Sequence, residues 1–187
     1  RLGWHYVHAA AAIDPAGRGW LFAGAPRSGK STTSALLATC GWSLATDDMA
    51  FLVAAGDRVR VAGAYEPIAL RDGGLRLLEA TGGKELAARQ KMGFTPEQLG
   101  GRWVPTVTPD LLMFSEIHSG PTSVEPLAPR AVLAQLVRWS GWVLVEPDLA
   151  QAHLDLLGAL ASQVRAFRLR LGQDIFERPD LLGELIP

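Results

Sequence analysis

The chain has a single cysteine, Cys40, in 187 residues. One thiol excludes an internal disulfide and any multi-cysteine zinc site, and it suits a reducing, cytoplasmic setting. At the end of a predicted helix, Cys40 reads as a small core residue. Excess charge of either sign is also missing: 18 Lys and Arg against 19 Asp and Glu leave a net −1. That balance gives no general affinity for nucleic acid or for an anionic membrane. No apolar run approaches the ~20 residues needed to cross a bilayer. Ala9 to Ala12 is apolar but ends at Asp14-Pro15, and no signal-peptide pattern precedes it. Repeats and low-complexity segments are absent. What is present is 48% apolar and 20% charged, a soluble globular composition. Residues 1–187 are therefore expected to form one domain. The chain starts at Arg1 rather than Met, inside what reads as a strand, which is compatible with a fragment.

The most informative stretch is Gly24-Ala25-Pro26-Arg27-Ser28-Gly29-Lys30-Ser31. It fits G-x-x-x-x-G-K-[ST], the phosphate-binding P-loop. The apolar run Trp20-Leu21-Phe22-Ala23 leads in, and a helix-like segment from Ser31 to Thr39 leads out. The glycines let backbone N–H groups curl around phosphate oxygens, and the helix N-terminus adds partial positive charge. Residues Gly24 through Thr32 are thus the expected nucleotide-binding stretch. Lys30 would reach the β- and γ-phosphates, and the Ser31 hydroxyl would ligate Mg²⁺.

Trp4 to Ile13 reads as a strand, Asp14 to Gly17 as a turn and Gly19 to Ala23 as the return strand, which makes a hairpin. An antiparallel partner ahead of the loop favours a mixed sheet over the all-parallel arrangement common in P-loop proteins. Further strands are expected at Trp42–Ala45, Met49–Val53, Arg58–Val61, Leu111–Ile117, Thr122–Leu127 and Phe167–Leu171. Helices are expected at 30–39, 129–139, 148–162 and 180–185. Between Ala64 and Thr108, Pro and Gly predict loops and short helices, with helical character at Leu75–Ala80 and Lys84–Gln90.

Asp47 and Asp48 lie just past a strand, 17 and 18 residues after Lys30. The strand after a P-loop helix ends near the phosphates. Adjacent carboxylates on an extended chain point opposite ways, so one can face a metal and the other an acceptor hydroxyl.

The combination resembles the catalytic domain of HPr kinase/phosphorylase and its family of HPr-kinase-like serine kinases. The matching residues are His8 in a strand, Trp20 to Ala23, Gly24 to Ser31, Gly41, and Leu44-Ala45-Thr46-Asp47-Asp48. Looser likenesses occur at Pro67 to Arg71, Leu112 to Phe114 and Val124 to Leu127. The resemblance implies an α/β, phosphoenolpyruvate-carboxykinase-like P-loop domain with a mixed sheet. It implies transfer of the γ-phosphate of ATP, with Mg²⁺, to a serine of a protein or peptide. Lys30 would bind phosphate, Asp47 would be the base, Asp48 would support the metal with Ser31, and His8 would assist proton transfer. Family members also assemble as hexamers, so a homo-oligomer is expected.

Two departures stand out. The Glu-x-Arg-Gly-Leu-Gly segment of true HPr kinases is absent, with only Glu66 and Arg71 in its neighbourhood, and Pro26 replaces a small residue. Phosphorylase activity and HPr as the substrate are left unsupported. Members that phosphorylate a serine of a lasso precursor peptide are a closer match. Alternative readings are a small-molecule kinase or carboxykinase, and a nucleotide-binding regulatory module without transfer. Arg27, Arg102 and Arg130 are further candidates to stabilise transferring charge. His5 is expected to be a structural or surface residue, His118 and His153 to be surface residues, and the six tryptophans to be core and interface anchors.

Overall fold

The computed structural model describes residues 3–78, 83–86, 91–141 and 147–186. β1 (His5–Ile13) and β2 (Gly19–Ala23) form the expected antiparallel hairpin, with Ala9 opposite Ala23 and Ile13 opposite Gly19. Asp14 fixes the turn: its carboxylate accepts from the Arg18 amide at 2.8 Å, Arg18 Nε at 2.7 Å and Trp20 Nε1 at 3.0 Å. β2 feeds residues 24–29 into α1 (Lys30–Thr39). Then come β3 (Ser43–Thr46), β4 (Met49–Ala55), β5 (Arg58–Gly63), β6 (Ile68–Leu70), α2 (Asp72–Leu78), β7 (Lys84–Leu86) and β8 (Lys91–Phe94). A 3-10 turn (Glu97–Leu99), β9 (Arg102–Trp103) and β10 (Thr106–Val107) complete the middle. The last part holds β11 (Leu111–Ile117), β12 (Ser123–Pro126), α3 (Pro129–Arg138), α4 (Pro147–Gln163), β13 (Arg165–Leu171), α5 (Asp174–Glu177) and α6 (Leu181–Glu184).

The main sheet is mixed, as the hairpin ahead of the loop predicts. Its order is β10-β5-β4-β1-β2-β11-β13-β12, with β3 paired to β1 and β9. β11 lies parallel to β2 and β13, while the β1, β4 and β5 pairings are antiparallel. Side chains alternate across a strand, and the core divides accordingly. Ala10, Ala12, Trp20, Phe22 and Met113 pack with α1 on one face. Val7, Ala9, Ala11, Leu21 and Leu112 pack on the other with Val132 and Leu136 of α3 and Leu157 and Leu160 of α4. A three-stranded sheet, β6-β8-β7, sits outside this frame.

Three expectations are corrected. Residues 84–86 are a strand, not helix, because Lys84, Glu85 and Leu86 pair with Gly93, Met92 and Lys91, and that pairing overrides local propensity; residues 87–90 of that expectation, like 79–80 of the preceding one, lie outside the described residues. Cys40 is exposed, since α1 ends at Thr39 and leaves Cys40 as its cap. His153 is buried on α4 against the ring of His5, with centroids 5.0 Å apart.

Candidate active site

The loop between β2 and α1 is shaped by backbone geometry. A Cβ at Gly24 would stand 2.7 Å from the Ser115 carbonyl oxygen and 2.8 Å from Ser28 Oγ, so only glycine fits. Arg27 and Gly29 take φ of 67° and 93°, the left-handed region that turns the chain into the helix. The Ser28 amide donates to Ala25 O at 3.1 Å, and the Thr33 amide to Gly29 O at 2.8 Å. Pro26 and Arg27 are exposed, while Ala25, Gly29, Ser31 and Thr32 are partly exposed. Gly74 of α2 packs so closely on α1 that a Cβ there would lie 3.0 Å from Thr32 Oγ1. Ser28 Oγ, beside Gly24, and Ser115 Oγ are buried with no hydrogen-bond partner among the described residues.

Lys30 is buried, and its ammonium donates to Gly24 O at 2.9 Å and Ala25 O at 3.0 Å. Burial lowers its pKa, while Asp48 and Asp47 act in the opposite direction. The loop carbonyls thus hold the lysine at the cradle, and both acids lie close enough for their charge to be felt there.

The acids are positioned by a corner in the chain. β1 pairs with β4 over His5–His8 and with β3 over Ala11–Ile13, so residues 46–49 step along the same edge of β1. The Ala9 amide donates to Asp48 O at 3.2 Å. Thr46 Oγ1 accepts from the Asp48 and Met49 amides at 3.3 and 3.1 Å and donates to Glu66 Oε1 at 3.1 Å.

Within that corner the two carboxylates have opposite surroundings. Asp47 is 4% exposed. Burial pushes its pKa up to about 6, against the Ser31 and Ser34 hydroxyls and the Ala69 amide, which favour the charged form. Its Oδ1 has no hydrogen-bond partner among the described residues. Asp48 is half-exposed and lies 2.6 Å from His8 Nε2. The hydrogen bond from His8 holds its pKa below the usual carboxylate range, helped by the charges of Lys30 and Lys91.

A nucleotide with Mg²⁺ fits these residues. Among the described residues no group of three or more His, Cys, Asp and Glu forms a ready metal cage. Mg²⁺ requires less, because it takes one or two carboxylates or hydroxyls and fills its octahedron with phosphate oxygens and water. Asp47, with an unpartnered oxygen beside Ser31, supplies that set, and the Gly24 cradle leaves room where any side chain would intrude.

Of the residues singled out from sequence, His8, Lys30, Ser31, Asp47 and Asp48 converge on this site. Arg102 and Arg130 do not: both are exposed, Arg102 opposite Ser43 at the far end of β3 and Arg130 in the first turn of α3. His118 is exposed after β11. Trp4 is 51% exposed, unlike Trp20 and Trp42 in the core; Trp142 lies outside the described residues. Lys91, whose charge reaches Asp48 from β8, and Glu66, held by Thr46, were missed. Neither sits in a motif, since pairing in the small outer sheet and a loop bring them in.

No family model matches the chain, and no curated protein matches it. Among solved structures it is similar to the Hpr(Ser) kinase/phosphatase from Coxiella burnetii, with a TM-score of 0.48 and 14% identity over 97% of this chain and 93% of that chain. The functional reading therefore rests on the site itself.

Proposed function

We propose that the chain is an ATP- and Mg²⁺-dependent kinase that transfers the γ-phosphate to a serine hydroxyl of a protein or peptide. The observation that carries this reading is the division of the acids: Asp47 buried beside Ser31, and Asp48 half-exposed and bonded to His8. A module that only binds nucleotide has use for the first acid. The second, turned to solvent and oriented by a histidine, is what an acceptor hydroxyl needs.

Lys30 and the loop amides hold the β- and γ-phosphates, and Ser31 with Asp47 would hold Mg²⁺. Held there, Mg²⁺ would supply neutralisation of the charge on the phosphate oxygens. The serine Oγ–Pγ bond forms, the bond from Pγ to the β–γ bridging oxygen breaks, and ADP leaves. Asp48 takes the serine proton, and His8 Nε2 keeps that carboxylate ionised and aimed. A weak base suffices, because phosphoryl transfer is governed mainly by positioning and charge. The resemblance assigns the proton to Asp47 and the metal to Asp48. Burial favours the exchanged roles, since an acid 4% exposed meets an incoming hydroxyl poorly.

The test is transfer from labelled ATP with Mg²⁺ to serine peptides, beside Asp48→Asn and Lys30→Ala. Label in a peptide that is lost in Asp48→Asn while nucleotide affinity holds supports the reading, and Lys30→Ala should lose affinity with the fold intact. Tight nucleotide binding with no labelled acceptor in any mixture overturns it in favour of a regulatory module. Label on a metabolite overturns it in favour of a small-molecule kinase.

A further inference from the structure

Beside Asp48 lies an open pocket of about 490 Å³. Trp4, Tyr6, Phe51 and Met49 form its apolar wall, and His5 and His153 contribute the polar part. The rings are mutually braced: Trp4 and Phe51 have centroids 5.7 Å apart and Tyr6 meets Phe51 edge-on at 6.1 Å. Trp4 and Met49 are nevertheless 51% and 41% exposed, so apolar surface is left uncovered where the pocket opens. Among the described residues Asp48 is the one carboxylate of its wall, and no Lys or Arg lines it.

His153 adds a specific demand. It is 3% exposed, and its Nε2 has no partner among the described residues. A hydrogen bond to the Tyr6 backbone occupies the ring's other nitrogen. Burial, reinforced by His5, lowers its pKa to about 4, so at neutral pH the ring is uncharged and Nε2 carries a bare lone pair. A buried acceptor without a donor is costly, and a ligand that brings an N–H or O–H relieves that cost.

We propose that this pocket selects the acceptor: it takes an aromatic side chain bearing a ring donor, tryptophan or tyrosine, from a peptide segment whose serine reaches Asp48. The proposal rests on the kinase reading for the serine, but the pocket's preference is measurable without transfer. Three observations converge on this occupant. The ring-built wall suits another ring, at offset or edge-on geometry. The lone pair on His153 requires a donor, which phenylalanine lacks. No Lys or Arg among the described residues lines the wall to pair with an anionic occupant such as a phosphorylated metabolite. The pocket shares Asp48 with the candidate active site, so a side chain seated there leaves its own backbone at the catalytic carboxylate.

The experiment uses the full chain and fluorescein-labelled peptides in which the serine is replaced by alanine. Each flanking position is scanned in turn with Trp, Tyr, Phe and Ala, and binding is read by polarisation. At one favoured position Trp or Tyr should bind about tenfold more tightly than Phe, the span of one satisfied buried acceptor, and Phe more tightly than Ala. His153→Phe should erase the Trp-over-Phe advantage while keeping Phe over Ala. His153→Gln, which retains an acceptor, should restore part of it. Phe51→Ala should weaken every aromatic peptide. Near-UV circular dichroism verifies that each variant is folded. Equal affinity for Trp, Phe and Ala at every position, no measurable binding, or an advantage that survives in folded His153→Phe overturns the proposal. Discrimination in binding without any transfer would leave the pocket standing and remove the kinase reading, whereas serine transfer indifferent to the flanking residue would do the reverse.

Discussion

The cradle and the aromatic pocket meet at the Asp47–Asp48 peptide bond, yet they are assembled in different ways. The cradle comes from one contiguous stretch, residues 24–34, closed by a single distant acid. Its shape is set by backbone: a glycine with no room for a Cβ, two left-handed residues, and a lysine tied to loop carbonyls. The pocket is gathered from three separate places, residues 4–6, 48–51 and 149–153, and its shape is set by ring against ring. Among the described residues, buried polar atoms lack partners in both, but of different kinds. Asp47 Oδ1 is an acid that burial pushes toward the proton, and His153 Nε2 belongs to a base that burial pushes away from it. The cradle should therefore respond chiefly to changes of charge, and the pocket to changes of ring size and hydrogen bonding.

The sharpest way to break that division is to remove one carboxylate at a time. Asp48→Asn should lower the transfer rate about 10²–10⁴-fold, the usual span for a positioned general base, with nucleotide affinity nearly unchanged. Asp47→Asn should instead weaken Mg²⁺-nucleotide binding about 10–100-fold, the scale for a group that tunes a metal site. Single-turnover transfer and calorimetry separate the two. If Asp47→Asn loses rate alone and Asp48→Asn loses affinity, the roles are those the resemblance assigns, and burial is not what divides them.

The same Asp47→Asn variant should make the nucleotide-free protein more stable. With a pKa of about 6 when folded, against 3.8 for an ordinary aspartate, Asp47 binds its proton more tightly in the folded chain. Its contribution is fully present below pH 4 and is lost as pH rises through 6. Ionising it costs about 3 kcal/mol at neutral pH, from the free-energy equivalent of that shift. Urea unfolding at pH 7 should show the variant gaining a good part of this, and no gain would mean the acid is already compensated. Function at the cradle would then be held at the expense of stability.

His153 supplies the opposing slope from the pocket side. Its pKa is lowered from 6.5 to about 4, so its contribution is present above pH 6.5 and is lost as pH falls toward 4. The two slopes run against each other between pH 4 and 6, and the wild-type chain should show a muted pH dependence there. Asp47→Asn should unmask loss of stability on acidification, and His153→Gln should unmask loss on going from pH 4 to 6. Parallel pH profiles for wild type and both variants would show that neither group titrates as its surroundings require.

The contrast between the two regions also explains what could be read from sequence. The loop and its helix were legible because their pattern is local: the G-x-x-x-x-G-K-S spacing, the apolar lead-in and α1 all fall within twenty residues, and α1 has the expected bounds of Lys30–Thr39. The hairpin order and the mixed sheet were legible from turn residues for the same reason. The division of labour between Asp47 and Asp48 was not, because it depends on which acid the corner at Thr46 turns inward, and alternation alone offers either choice. The pocket was invisible: nothing in the spacing of His5 and His153 announces that α4 lays one ring on the other. The strand at 84–86 reads as helix in isolation because its partner, Lys91–Phe94, decides it.

Lys91 is the remaining link between that outer sheet and the site, and it gives the smallest expected effect. Its charge helps to hold the Asp48 pKa down, behind the contributions of His8 and Lys30. It is half-buried on β8 rather than enclosed, so solvent screens it and its attraction to the carboxylate is worth about 1 kcal/mol or less. Lys91→Met keeps the stem and removes the charge. It should change the transfer rate by no more than about fivefold, the rate equivalent of that energy, because Asp48 keeps His8 and Lys30 beside it, and 0.5 M salt should shrink the difference, because exposed charges are screened. His8→Gln, which removes the direct partner of Asp48, should cost more than Lys91→Met and be less sensitive to salt. If the lysine variant loses as much as the histidine variant at every ionic strength, Lys91 is touching the transferred phosphate itself, and the cradle extends onto the outer sheet.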